Sequence, residues 1–276
     1  MRRPFLNMSK KSVPHEIMKS AVLLILAILI IPILFFEGSC WAAETPSPEE
    51  LFFEANRAYK DGRYQNAIDG YRQLIASGFA NGHLYYNLAN AYLRAGRLGQ
   101  AILNYKRAQV LIPRDADLNY NLRFALDQTK DAVSPSQNFL KQAFFWLDEM
   151  TLRELLWAFA LMNVMFWGVL ALRIFRRPEW TYYVFIVLLI LWLVVGSSLG
   201  VKWYQLQADQ RVVILTPVVN VLAGPEANDT VLFKLHEGTT VNRERTEDGW
   251  SLIRLSQNKR GWVKSDGIEK ILSRMR

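Results

Sequence analysis

Three apolar runs, at 21–36, 155–174 and 180–201, divide the chain, and the polar stretches between and after them carry two different patterns. Between the first two runs a helical pattern recurs. From 211 onward, short β-rich runs such as Val212-Val213-Ile214-Leu215 and Val231-Leu232-Phe233 alternate with turn signals at Gly224-Pro225, Glu237-Gly238 and Asp248-Gly249, which predicts a small all-β barrel over 205–273. Ser134-Pro135-Ser136 breaks the helical pattern and marks a linker at 131–137. Beyond it, Phe139, Leu140, Ala143, Phe144 and Leu147 return at three- and four-residue steps beside Trp146, which predicts an amphipathic pre-membrane helix over 138–152.

The second and third runs have the length of membrane spans, assigned to 153–175 and 180–201. The loop between them, 176–179, opens on Arg176-Arg177, and positive-inside bias keeps such a loop in the cytoplasm, which places both flanks outside. The first run agrees independently. Arg2, Arg3, Lys10, Lys11 and Lys19 precede it and small residues follow at Ala42 and Ala43, so 1–43 is expected to be an export signal or, if uncleaved, an N-terminal anchor. Glu37 stands where a lipoprotein signal needs an aliphatic residue before Cys40. The apolar runs 155–174 and 180–201 hold no acid, histidine or lysine, groups that a proton relay or transport pathway needs, so the pair is expected to be an anchor and membrane lipid a partner.

Shifting the sequence by 34 residues aligns Asn56 with Asn90, Gly62 with Gly96, Ala67 with Ala101, Ile68 with Ile102 and Tyr71 with Tyr105. That period is the signature of tetratricopeptide (TPR) helical hairpins. Tyr120-Asn121-Leu122 repeats Tyr86-Asn87-Leu88, so two hairpins and a capping helix are expected over 44–130. Their concave face is expected to carry Phe52, Asn56, Tyr59 and Lys60, then Tyr86, Asn87, Asn90 and Arg94, with Tyr120 and Asn121 beyond. Amides can hydrogen-bond the backbone of an extended peptide and the two cations can meet a carboxylate. The competing reading is that Asn and Tyr recur because the repeat was duplicated and that the cations are solvated surface.

The fold class is thus a multidomain membrane protein with all-α hairpins, a two-helix transmembrane hairpin and a small all-β barrel. The formal net charge of +8 divides into +3 for 1–43, 0 for 44–150, +2 for 151–201 and +3 for 202–276, which gives no polybasic block for nucleic acid. Cys40 is the only cysteine, and His15, His83 and His236 fall in three segments, so neither a metal site, a cofactor nor an enzymatic centre is expected.

Gly224-Pro225, Leu235-His236-Glu237-Gly238, Gly249-Trp250-Ser251 with Ile253-Arg254-Leu255, and Gly261-Trp262-Val263 resemble the bacterial SH3 pattern. The resemblance implies a module that binds protein or cell-wall peptidoglycan. Trp250 and Trp262 are its candidate surface, or else an ordinary wall of the barrel. The order of signal, TPRs, amphipathic helix, two spans and SH3-like barrel, together with Pro113-Arg114-Asp115-Ala116-Asp117, Asn121-Leu122 and Thr129-Lys130-Asp131, resembles the E-type (BatE-like) branch of the aerotolerance (Bat) family. That resemblance implies a periplasm-facing scaffold of the inner membrane, partnered by von Willebrand A-type membrane proteins in an oxygen- or stress-tolerance complex. A peptidoglycan-binding tether or sensor is the alternative.

Overall fold

In the computed structural model of the chain, the described residues are 47–131, 142–176, 179–256 and 258–272. The expectations for 1–43, and for Phe139 and Leu140, lie outside them.

The first described residues are an N-terminal stop signal for helix written in side chains. Ser47 accepts the Glu50 amide, Glu50 reaches back to the Ser47 amide, and Pro48 occupies the first turn, where its missing N–H costs nothing. Helix α1 (Pro48–Lys60) follows and ends near Gly62, whose φ of +77° only glycine adopts without strain. Helix α2 (Tyr64–Ala76) completes the hairpin. Helix α3 (Gly82–Arg94), capped by Asn81, and α4 (Leu98–Leu111) form a second hairpin with Gly96 at φ +74° in the matching place. Helix α5 (Ala116–Leu126), capped by Asp115, covers the last pair.

Close approach within the first hairpin depends on two small residues rather than one. Ala55 faces Gly70, where an added Cβ would stand 2.9 Å from the alanine Cβ. The gaps are filled by Ile68, Tyr71, Leu88, Ile102 and Tyr105, all buried.

Helices α6 (Leu152–Arg176) and α7 (Trp180–Ala208) are each long and apolar enough to cross a bilayer, and most of their apolar surface faces outward. They pair as a hairpin through Phe166, which packs tilted on Phe185 at 5.4 Å and stacks on Trp192 at 5.9 Å, and through Trp192 Nε1 donating to Asn163 Oδ1 at 3.3 Å. Two boundaries differ from the sequence expectation. Residues 142–143 are helical, but 144–151 hold a 3-10 turn, Phe145–Asp148, rather than a continuous helix into the span, because Thr151 and Glu154 close a capping box that starts α6 afresh. At the other end, α7 continues seven residues past Val201. Lys202 Nζ donates to the Leu147 carbonyl at 2.6 Å and Trp146 Nε1 to Ser198 Oγ at 3.2 Å, so the 3-10 turn gives that extension a polar partner.

The C-terminal part is a seven-stranded antiparallel sheet in the order β3-β2-β6-β5-β4-β1-β7. Its strands are β1 (Arg211–Ile214), β2 (Val218–Leu222), β3 (Val231–His236), β4 (Thr240–Glu247), β5 (Trp250–Ser256), β6 (Lys259–Lys264) and β7 (Ile268–Lys270). Asp248 and Gly249, both at positive φ, make the two-residue turn between β4 and β5 whose twist suits a hairpin. Val212, Ile214, Val221, Leu235, Ile253 and Val263 close the interior.

Strand β1 is buried on both faces. Val212 and Ile214 point into the sheet's own core, whereas Val213 belongs to the core of the helices, joined there by Ile271, Leu215 and Leu272. The helical and β parts therefore share one apolar core and form one compact unit. Both also attach to the same end of the α6–α7 hairpin: Arg114, just before α5, pairs with Glu154 in the first turn of α6, and β1 begins three residues after α7 ends.

Candidate binding surfaces

The seam between helices and sheet is polar at its rim and close-packed at its centre. Helix α4 has no side-chain cap of its own; instead Glu237 of the sheet accepts the Gly99 amide at 3.3 Å, placing a carboxylate at the positive end of the helix. Arg107 of α4 donates to the carbonyls of Ile271 and Lys270, both at 3.0 Å, and to Glu269 at 2.6 Å. Asp131 collects three donors from the sheet: the His236 amide at 2.7 Å, Thr239 Oγ1 at 2.6 Å and the His236 ring at 3.1 Å. At the centre, a Cβ on Gly238 would meet Ile102 at 2.6 Å.

Burial raises the Asp131 pKa, but the hydrogen bonds from Thr239 and from the His236 amide and ring, with the ring's charge, outweigh it, and the net shift is downward. A carboxylate with a depressed folded pKa contributes stability above its unfolded pKa and loses it as pH falls through the folded value. The stability gap between wild type and Asp131→Ala is therefore expected to be full above about pH 4 and to narrow below it. Urea titrations at neutral and strongly acidic pH read this directly; a gap that stays constant contradicts it.

Across the hairpins, the asparagines expected on the concave face form an internal ladder. Asn56 Oδ1 accepts from Tyr71 Oη at 2.7 Å and Asn87 Nδ2 at 3.3 Å. One repeat later, Asn90 Oδ1 accepts from Tyr105 Oη at 2.5 Å and Asn121 Nδ2 at 3.1 Å, and Asn121 Nδ2 also donates to Tyr86 Oη at 2.9 Å. Burial raises the Tyr71 pKa to about 12 and pushes Tyr105 up as well, so both phenols stay protonated donors. These amide contacts tie hairpin to hairpin before they can meet a ligand. Tyr59 and Arg94 are engaged too: Tyr64 lies edge-on to Tyr59 at 5.6 Å and accepts from Arg94 Nε at 3.2 Å, with the guanidinium 5.5 Å from its ring centre. Phe52, Lys60 and Tyr120 are exposed, Tyr120 to 70%.

Tyr64, Gly70, Gly99 and Arg107 were not singled out by sequence reasoning, and Asp131 entered only with Thr129-Lys130 in a family resemblance, not for a contact with the sheet. Only Gly70 and Gly99 carry a signal, as glycines inside helical segments.

On the sheet, Trp250 and Trp262 share one face. Ser251, Ile253, Gly261 and Val263 alternate with them and are buried inward, while Trp250 lies opposite Lys264 and Trp262 opposite Leu252. A cation covers each indole: Arg245 Cζ is 5.0 Å from the Trp262 ring centre and Lys264 Nζ 5.9 Å from that of Trp250. Beside Trp262 an open cleft of about 530 Å³ runs between Leu232, Leu252, Arg245 and Arg260.

Residues 217–269, from the end of the β1–β2 connection into β7, match the bacterial SH3 domain. No curated protein matches the chain. The residues that carry the apolar seam, Val213, Leu215, Ile271 and Leu272, lie just outside the matched segment on both sides. The SH3-like domain supports a binding role, and it is extended at both ends by what fixes it to the helices.

Proposed function

We propose that this chain is a non-enzymatic scaffold of the bacterial inner membrane, anchored by α6 and α7, with a TPR-type groove and an SH3-like domain facing the periplasm. The observation that carries the reading is the shared core: two surfaces of different chemistry belong to one body fixed to one end of an apolar hairpin. Fixing both surfaces on one tethered body raises the effective concentration of one ligand site for a partner held at the other, so weak individual contacts suffice. The arginines that bound the loop between the helices keep that loop in the cytoplasm and put the body outside. Resemblance to the Bat family makes von Willebrand A-type membrane proteins the partners to look for, in an aerotolerance or envelope-stress complex.

Because the asparagine ladder is structural, a test of the groove belongs on the residues that project from it. In-membrane crosslinking followed by purification is expected to lose groove-dependent partners in a Lys60→Glu, Tyr120→Ala variant that folds normally. Unchanged partners and yields would remove the groove from the account. The second reading, a peptidoglycan tether, rests on the bacterial SH3 match. It requires the detergent-solubilised full chain to co-sediment with purified sacculi across ionic strengths.

A further inference from the structure

Beside Trp262, the cleft on the outer face of the SH3-like domain combines features that select one ligand chemistry. Its walls are apolar on two sides, from Leu232 of the edge strand β3 and Leu252 of β5. Arg245 and Arg260 supply two guanidinium groups. The one acid in the lining, Glu244, is already paired with Arg254 at 2.8 Å, so the charge left to a ligand is positive. Glu247 pairs with Arg245 through Nε at 3.3 Å on the exposed rim, and the guanidinium carbon lies 5.0 Å from the Trp262 ring centre, which holds the group over the indole. Leu232 is half exposed, and none of the cleft residues takes part in the seam with the helices.

We propose that this cleft binds an extended acidic segment of a partner protein, with carboxylates on Arg245 and Arg260 and an interleaved aliphatic side chain between Leu232 and Leu252. Fork-shaped donors on a packed aromatic favour carboxylates over neutral groups. The volume is that of a site for several residues rather than a lone ion. Sugar stacking needs a bare aromatic face, and here Arg245 and Lys264 lie over the two indoles. The inference deepens the scaffold reading by naming what the SH3-like surface takes.

The test uses the detergent-solubilised full chain and fluorescence anisotropy of a short labelled peptide alternating Glu and Leu. Its Lys-Leu counterpart and soluble cell-wall stem-peptide fragments are the competitors. The acidic peptide is expected to bind, more weakly as salt rises, and the Lys-Leu peptide not to compete. Arg245→Gln with Arg260→Gln is expected to weaken binding about tenfold or more, and Arg254→Gln to weaken it about threefold by releasing Glu244. Arg57→Gln, on the exposed surface of α1, is expected to leave it unchanged. No binding, binding unaffected by the double substitution in a normally folded variant, or displacement by wall fragments at concentrations below those of the acidic peptide itself overturns the proposal. Failure here with groove-dependent crosslinks intact rejects the cleft alone. Loss of groove dependence with intact peptide binding rejects the TPR groove and leaves the cleft.

Discussion

Valine in place of Gly99 is expected to separate the SH3-like domain from the helices while leaving each able to fold. A Cβ at this position would stand 2.6 Å from the Ile214 carbonyl oxygen and 3.0 Å from Leu215 Cα. Both are backbone atoms of the β1 exit, and neither can rotate away as a flexible side chain would. Gly99 does not sit at positive φ, so the effect is one of space alone. Moving β1 outward withdraws Val213 and Leu215 from the helical core and takes Glu237 from the first turn of α4. Overpacking at such a site costs about 3 kcal/mol. Urea unfolding of the detergent-solubilised protein is expected to change from one transition to two, with hydrogen exchange first accelerated at β1. Gly62→Ala is the control: its added Cβ meets nothing within 4 Å, so only the strain of φ +77° remains, about 1 kcal/mol, with the seam intact. A Gly99→Val protein that still unfolds in one transition at the wild-type midpoint contradicts the packing described.

Asn90→Ala is expected to be the costliest single substitution on the concave face, although the side chain is polar and partly exposed. It removes the acceptor of the fully buried Tyr105 hydroxyl and of Asn121 Nδ2 in one step. A buried donor left without a partner costs about 1–3 kcal/mol, and the phenol cannot escape by ionising because burial raises its pKa. Tyr105→Phe combined with Asn90→Ala removes both ends of the main bond and is expected to restore part of the loss. Denaturant midpoints of the two single variants and the double form the cycle. Equal stability of Asn90→Ala and wild type would mean that the ladder is not holding the hairpins in register.

Local pattern made the elements visible, and contacts between distant segments decided the rest. The 34-residue period located Gly62 and Gly96, and both proved to sit at positive φ for the same reason, a helix end that must reverse. It also located Asn56, Asn90 and Asn121, yet duplication alone does not say whether a recurring amide faces a ligand or the next hairpin. The seam left almost no trace, because Arg107 and Glu269, or Asp131 and His236, lie more than a hundred residues apart and nothing in either segment points to the other. One hint was present in Val212-Val213-Ile214-Leu215, a run apolar at every position. A strand with one wet face alternates, so an unbroken run marks a strand covered on both sides, here by two parts of the fold. Helix ends were the least legible: α7 outlasts its apolar stretch because the 3-10 turn supplies partners for Ser198 and Lys202.

Thiol accessibility tests most directly whether one body stands on the outer side of the membrane. With Cys40→Ser as background, Lys60→Cys on α1, Lys234→Cys on β3 and Glu179→Cys between α6 and α7 place single reporters on exposed positions of the helices, the SH3-like domain and the far end of the hairpin. In intact spheroplasts a membrane-impermeant maleimide is expected to label the first two equally and the third only after permeabilisation. Labelling of Glu179→Cys from outside, or of only one of the other two, would contradict the account.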